Sequence, residues 1–177
     1  MKRVQMFLAG AFIAVGSLYA QSSDAEWQAG VAKLKETIQT NPAQANEDAE
    51  QLIKGKNKKN VDLVTSVAHV YLDAGKITEA QEYLAMAKKA NNKDPKVSVL
   101  EGDIALAQKN IGQACQLYEQ AIYFDPNCKE AYLKYAQAYK SASPTQAIEK
   151  LEQLKAVDPN CLEAVSYTHL TLPTKLE

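Results

Sequence analysis

Residues 61–94 read VDLVTSVAHVYLDAGKITEAQEYLAMAKKANNKD. Residues 95–128 read PKVSVLEGDIALAQKNIGQACQLYEQAIYFDPNC, and residues 129–161 read KEAYLKYAQAYKSASPTQAIEKLEQLKAVDPNC. Laid one above another, the three lines keep their small and aromatic residues in column. Ala68 recurs as Gly102 and then as Ala136, at steps of 34. Tyr71, Ala105 and Tyr139 keep the same step. Ala80, Leu84 and Ala87 recur 34 residues later as Ala114, Tyr118 and Ala121. Asp125-Pro126-Asn127-Cys128 returns after 33 residues as Asp158-Pro159-Asn160-Cys161, and Ala114 to Ala147 is also 33. The third unit is therefore one residue shorter, in its inner turn. A fixed period of this size marks a repeat array rather than a single closed core.

Each unit reads as two helices. Val64, Val67, Ala68 and Tyr71 recur at helical spacing, as do Ala80, Leu84 and Ala87 on the following segment. Asp94-Pro95, Asp125-Pro126 and Asp158-Pro159 each offer a capping carboxylate followed by Pro at a first helical position. Ser143-Pro144-Thr145-Gln146 adds a capping box, and Thr78 with Gln81 and Asn110 with Gln113 mark two further starts. The column of Ala68, Gly102 and Ala136 falls in mid-helix, where close approach of a second helix leaves no room for bulk. Ala80, Ala114 and Ala147 fall early in the second helix and face the first. Tyr71, Tyr118 and Tyr139 fill the wider gaps between layers.

This pattern resembles the tetratricopeptide repeat (TPR) family, in three units at residues 61–94, 95–128 and 129–161. The large aromatic that usually opens the first helix is replaced by Val64 and Ser98, and only Tyr132 suits it. The unit-ending proline is present as Pro126 and Pro159 but falls three residues late, at Pro95, in the first unit. The resemblance implies an all-α fold, a right-handed superhelical solenoid of antiparallel helix pairs. It implies a concave groove lined by the first helices, with a protein or peptide partner. It places groove-facing side chains at Asp62, Thr65, His69 and Leu72, then Lys96, Val99, Asp103 and Leu106, then Glu130, Leu133, Gln137 and Lys140. Members that grip a peptide's terminal carboxylate use clustered Lys, Arg and Asn there, and this chain has no such cluster.

Residues 21–60 read as a degenerate leading repeat or cap. Trp27, Val31, Leu34 and Ile38 make one apolar face, and Asn41-Pro42 caps a segment carrying Ala45, Ala49, Leu52 and Ile53. Lys54, Lys56, Lys58 and Lys59 follow, either as a solvated turn or as an anion-facing patch. Further out, Lys2 and Arg3 precede an apolar run from Val4 to Val15, then Ser17-Leu18-Tyr19-Ala20. That is the order of a secretory signal peptide over residues 1–20, cleaved after Ala20. It predicts a mature protein in the periplasm or outside the cell. The first cysteine is Cys115, so no lipid-attachment cysteine stands at the cleavage point. No second run of transmembrane length follows.

At the other end, residues 165–174 read VSYTHLTLPT. They match, letter for letter, one reading frame of a standard transposase sequencing adapter. Residues 162–164 then read as the start of a further helix and the rest as an artefact fused to a cut gene. A solenoid so cut would expose the apolar face of its last layer and self-associate.

The chain has 177 residues, 46% hydrophobic, too apolar for a disordered segment. Residues 21–164 hold 17 basic against 20 acidic side chains, a net of −3, so no basic field argues for nucleic acid. Within that region His69 is the single histidine. There is no metal-ligand pair, nucleophile motif or Gly-rich phosphate loop, and no cofactor is expected. Cys128 and Cys161 are one repeat apart, about 10 Å, too far for a disulfide. The three cysteines read as small apolar residues, with an unseen partner still open for the odd one. The leading expectation is a non-enzymatic exported scaffold. The alternatives are an accessory region of a larger envelope enzyme or sensor, and an outer-membrane assembly or glycan-uptake component.

Overall fold

The computed structural model describes residues 18–162 and 164, with side chains from Glu26 onward. The expected signal peptide lies almost wholly outside the described residues, as does the adapter-like run at 165–174. Among the described residues there are eight α-helices and one short 3-10 helix, and no strand. They are α1 (Leu18–Thr40), α2 (Pro42–Leu52), α3 (Val61–Asp73), α4 (Ile77–Asn91), α5 (Pro95–Ala107), α6 (Ile111–Phe124), α7 (Lys129–Tyr139) and α8 (Pro144–Val157), with the 3-10 turn at Gly55–Lys59 between α2 and α3.

Sequential helices pack as pairs: α1 on α2, α3 on α4, α5 on α6 and α7 on α8. Pairs stack because each first helix also touches the first helix of the next pair, α1 to α3 to α5 to α7. Each second helix from α4 onward leans on the first helix of the following pair, α4 on α5 and α6 on α7. The core is accordingly a strip running through the stack, in which every layer needs its neighbours. Ala68, Ala80, Ala87, Ala114, Ala121 and Ala136 are buried at the helix crossings, with Leu84, Tyr71, Tyr118 and Ala147 beside them. Tyr139 is half-buried and meets Tyr135 edge-on at 5.1 Å. The leading pair buries Leu34, Ile38, Ala45, Ala49 and Ile53 on the faces read from the sequence. The Tyr71 hydroxyl, 2.8 Å from Asn46 Oδ1, ties that pair to α3.

Helix ends follow local chemistry, with three corrections. Asn41, Asn60, Asp94 and Asn110 cap through their side chains, Asp94 Oδ1 accepting from Lys96 N at 3.0 Å. Asp125 and Asp158 do not open helices. Each closes one: Asp125 N–H donates to Ala121 O and Asp158 N–H to Leu154 O. Their carboxylates then accept from the backbone two residues on, Asp125 from Asn127 and Asp158 from Asn160. Asn91 does the same for Lys93. Positions 91, 125 and 158 are thus one Asx-turn column, and the prolines behind two of them occupy the exposed turn, not a helix start. Thr78 lies inside α4, which begins at Ile77 after Lys76. Ser143 stands at the N-cap of α8 with Pro144 behind it, but its hydroxyl makes no capping bond.

Candidate functional site

The stacking of α1, α3, α5 and α7 puts their outward faces in one layer, and a cleft of about 410 Å³ opens across all four. Trp27 and Gln28 of α1 form one wall. Asn60, Asp62, Thr65, Ser66 and His69 come from the start and body of α3, Lys96 and Val99 from α5, and Glu130 from α7. Residues one repeat apart meet here because a 34-residue step returns the chain to the same place in the next layer. Asp62, Lys96 and Glu130 occupy one such column, and Thr65 and Val99 another.

Six of the twelve groove positions line this cleft: Asp62, Thr65, His69, Lys96, Val99 and Glu130. Thr65 and Val99 are buried, at 4% and 1% exposure, so they form its floor rather than a free contact surface. The Thr65 hydroxyl donates back to Val61 O at 2.8 Å. Leu72, Leu106 and Leu133 are half-buried and pack against the core strip. Gln137 and Lys140 are exposed on and beyond the last turn of α7 and do not line the cleft.

Asp103 departs from the expectation of an open groove-facing residue. It is 7% exposed and is the centre of a polar node linking three layers. Tyr118 Oη donates to Asp103 Oδ1 at 2.7 Å, and Lys134 Nζ lies 2.9 Å from Oδ2. His69 Nδ1 stands 3.7 Å from the same oxygen. A carboxylate can be buried at such a seam because a cation and a hydroxyl replace its water. Burial first, then the Asp103 charge, pushes the Tyr118 phenol far above its usual value, so it remains a donor. Tyr118 and Lys134 were not legible as site residues. Tyr118 reads as core, and Lys134 is one charge among many on α7.

The cleft's own cation is already used. Lys96 Nζ pairs with Asp62 Oδ1 across the 34-residue step. This bond holds the Lys96 ammonium above its usual pKa, with the charges of Asp94 and Glu130 adding to it.

A second cavity of about 630 Å³ lies behind Trp27, between α1, α2 and the 3-10 turn. Glu26, Gly30, Lys33, Asp48, Gln51, Leu52, Lys56 and Asn57 line it, and Trp27 and Asn60 border both cavities. Lys33 and Asp48 pair across it at 3.1 Å. Of the lysine-rich turn only Lys56 reaches this cavity; Lys54, Lys58 and Lys59 are solvent-exposed. Sequence periodicity places Trp27 on an apolar face and gives no sign of this border role. The contact depends on how α1 lies against α3.

Among the described residues no group of three His, Cys, Asp or Glu converges as a metal site would require. Cys115, Cys128 and Cys161 are free thiols, the first and third buried. No described helix is long and apolar enough to cross a membrane.

No protein-family model and no curated protein matches the chain. Solved structures do. PilF of Pseudomonas aeruginosa superposes with a TM-score of 0.62 at 17% identity, over 85% of this chain and 69% of that one. MamA superposes at 0.53 with 17% identity, over 91% and 84%. YrrB, described as a TPR protein with an unusual peptide-binding site, superposes at 0.55 with 16% identity, over 85% and 88%. At these identities the likeness is one of fold: the chain folds as a TPR-like helical solenoid.

Proposed function

We propose that this chain is a non-enzymatic, exported scaffold that binds an extended segment of a partner protein in the cleft across α1, α3, α5 and α7. One observation carries the reading: four successive first helices contribute side chains to a single open cleft. A cleft built this way is long in the stacking direction and presents side chains at regular steps, which suits an extended chain. The peptide-binding site described for the similarly folded YrrB supports it. Export rests on the leader read at residues 1–20. N-terminal sequencing of the protein from fractionated cells is expected to find Gln21 first, outside the cytoplasm. A chain that keeps its leader in the cytoplasm contradicts export without touching the cleft.

Photo-crosslinking tests the cleft. A benzophenone side chain at Gln28, beside Trp27, is expected to label a bound partner. One at Gln81, exposed on α4 away from the cleft, is expected not to. Equal labelling from both positions would sink the proposal.

A further inference from the structure

We infer that the cleft takes a basic segment, an extended peptide whose Lys or Arg cation sits between Glu130 and Asp62. This deepens the peptide-binding reading above and rests on it. Among the ten lining residues Lys96 is the sole lysine or arginine, and it is paired with Asp62. Asp62 pairs with that ammonium, Glu130 lines the same cleft, and the negative charges of Asp94 and Glu130 also act on it. Lys134, the next cation on this face, lies against Asp103, so each cancels the other. What the rim offers a ligand is net negative charge and oxygen acceptors. An acidic peptide would have to pull Lys96 from Asp62 and then face Glu130. A basic one meets Glu130 directly and shares Asp62 with Lys96. Trp27 adds an aromatic side chain to the cleft wall, a further site of attraction for a cation.

Trp27 is the only tryptophan in the chain, so its fluorescence reports on the cleft wall and on the cavity behind it, and variants at Lys96 and Glu130, which line the cleft alone, tell the two apart. A random peptide library is selected on the folded protein, and the selected peptides are titrated against Trp27 emission. The expected result is enrichment in Lys and Arg, with affinity falling as salt rises. Glu130→Lys is expected to weaken binding about tenfold or more, and Glu130→Gln by less. Lys96→Ala removes the competing cation and is expected to tighten binding about threefold. Residues 96 and 130 are both exposed, and circular dichroism checks that the variants stay folded. Selected peptides rich in Asp or Glu, or a Glu130→Lys variant that binds as the parent does, overturn the basic-segment inference and leave peptide binding standing. A library that yields no peptide perturbing Trp27 overturns both.

Discussion

A Cβ built on Gly102 would lie 2.5 Å from Cε1 and 2.8 Å from Cδ1 of Tyr118. The ring cannot swing away, because its hydroxyl is held by Asp103. The same pair of columns reads Ala68 with Leu84 in the unit before and Ala136 with Leu151 in the unit after. Where the second helix carries the larger Tyr118, the first gives up its methyl. Gly102→Ala is therefore expected to cost about 1–3 kcal/mol in urea denaturation, and much less in a Tyr118→Leu background. An equal cost in both backgrounds would show that the ring is not the obstacle. Asp103→Ala leaves a buried phenol without its acceptor and frees Lys134. It is expected to cost about 2 kcal/mol or more, while Asp103→Asn, which keeps an acceptor, costs less.

Among the elements, the turn from first to second helix shows what a repeat tolerates. Gly75 ends α3 in the left-handed region at φ 75°, with Gly75 N–H bonded to Leu72 O and Lys76 N–H to Tyr71 O. One repeat on, Lys109 takes the same place at φ 64°, with the same two bonds to Leu106 and, through Asn110 N–H, to Ala105. Glycine meets this conformation without a Cβ penalty and lysine does not. Lys109→Gly is expected to stabilise the protein by about 0.5–1 kcal/mol, and a thermal melt that moves down would contradict the turn geometry. The caps give a matched contrast. Asn110 accepts from Gln113 N–H at 3.2 Å, so Asn110→Ala should cost about 1 kcal/mol. Ser143 holds the corresponding place on α8 without such a bond, and Ser143→Ala should leave the melting temperature almost unchanged.

At the scale of the whole molecule, the stacked layers bury several thiol and phenol groups and hold them protonated. Burial pushes the Cys115 thiol up from 9.0 to about 11 and the Tyr135 phenol from 10.0 to about 12. Tyr71 and Tyr118 shift upward too, again chiefly through burial. In each the fold favours the protonated form, whereas the unfolded chain loses its proton at the ordinary value. Their contribution is fully present below pH 9 and is lost as pH rises through the folded values. Urea midpoints are expected to hold level through neutral pH and fall between about pH 9 and 12. A flat profile across that range would mean these groups are hydrated in the folded state.

Much of this architecture can be read from the chain alone, because helix pairing is local. The 34-residue step of Ala68, Gly102 and Ala136 sets both the period and the contact. The helical spacing of Val64, Val67, Ala68 and Tyr71 sets the buried face. Asp125 and Asp158 read as N-caps in the sequence because an Asx turn and an N-cap use the same side chain, and only backbone direction tells them apart. The cleft was half legible. The columns 62, 96, 130 and 65, 99 follow from the repeat, so the sequence alone could bring Asp62 to Lys96. Trp27 on its wall, the burial of Thr65, Val99 and Asp103, and the meeting of His69, Tyr118 and Lys134 around one carboxylate were decided by tertiary structure. Periodicity fixes which residues share a face. How tightly two layers close over that face depends on packing between residues far apart in sequence, and burial and charge pairing follow from that closure.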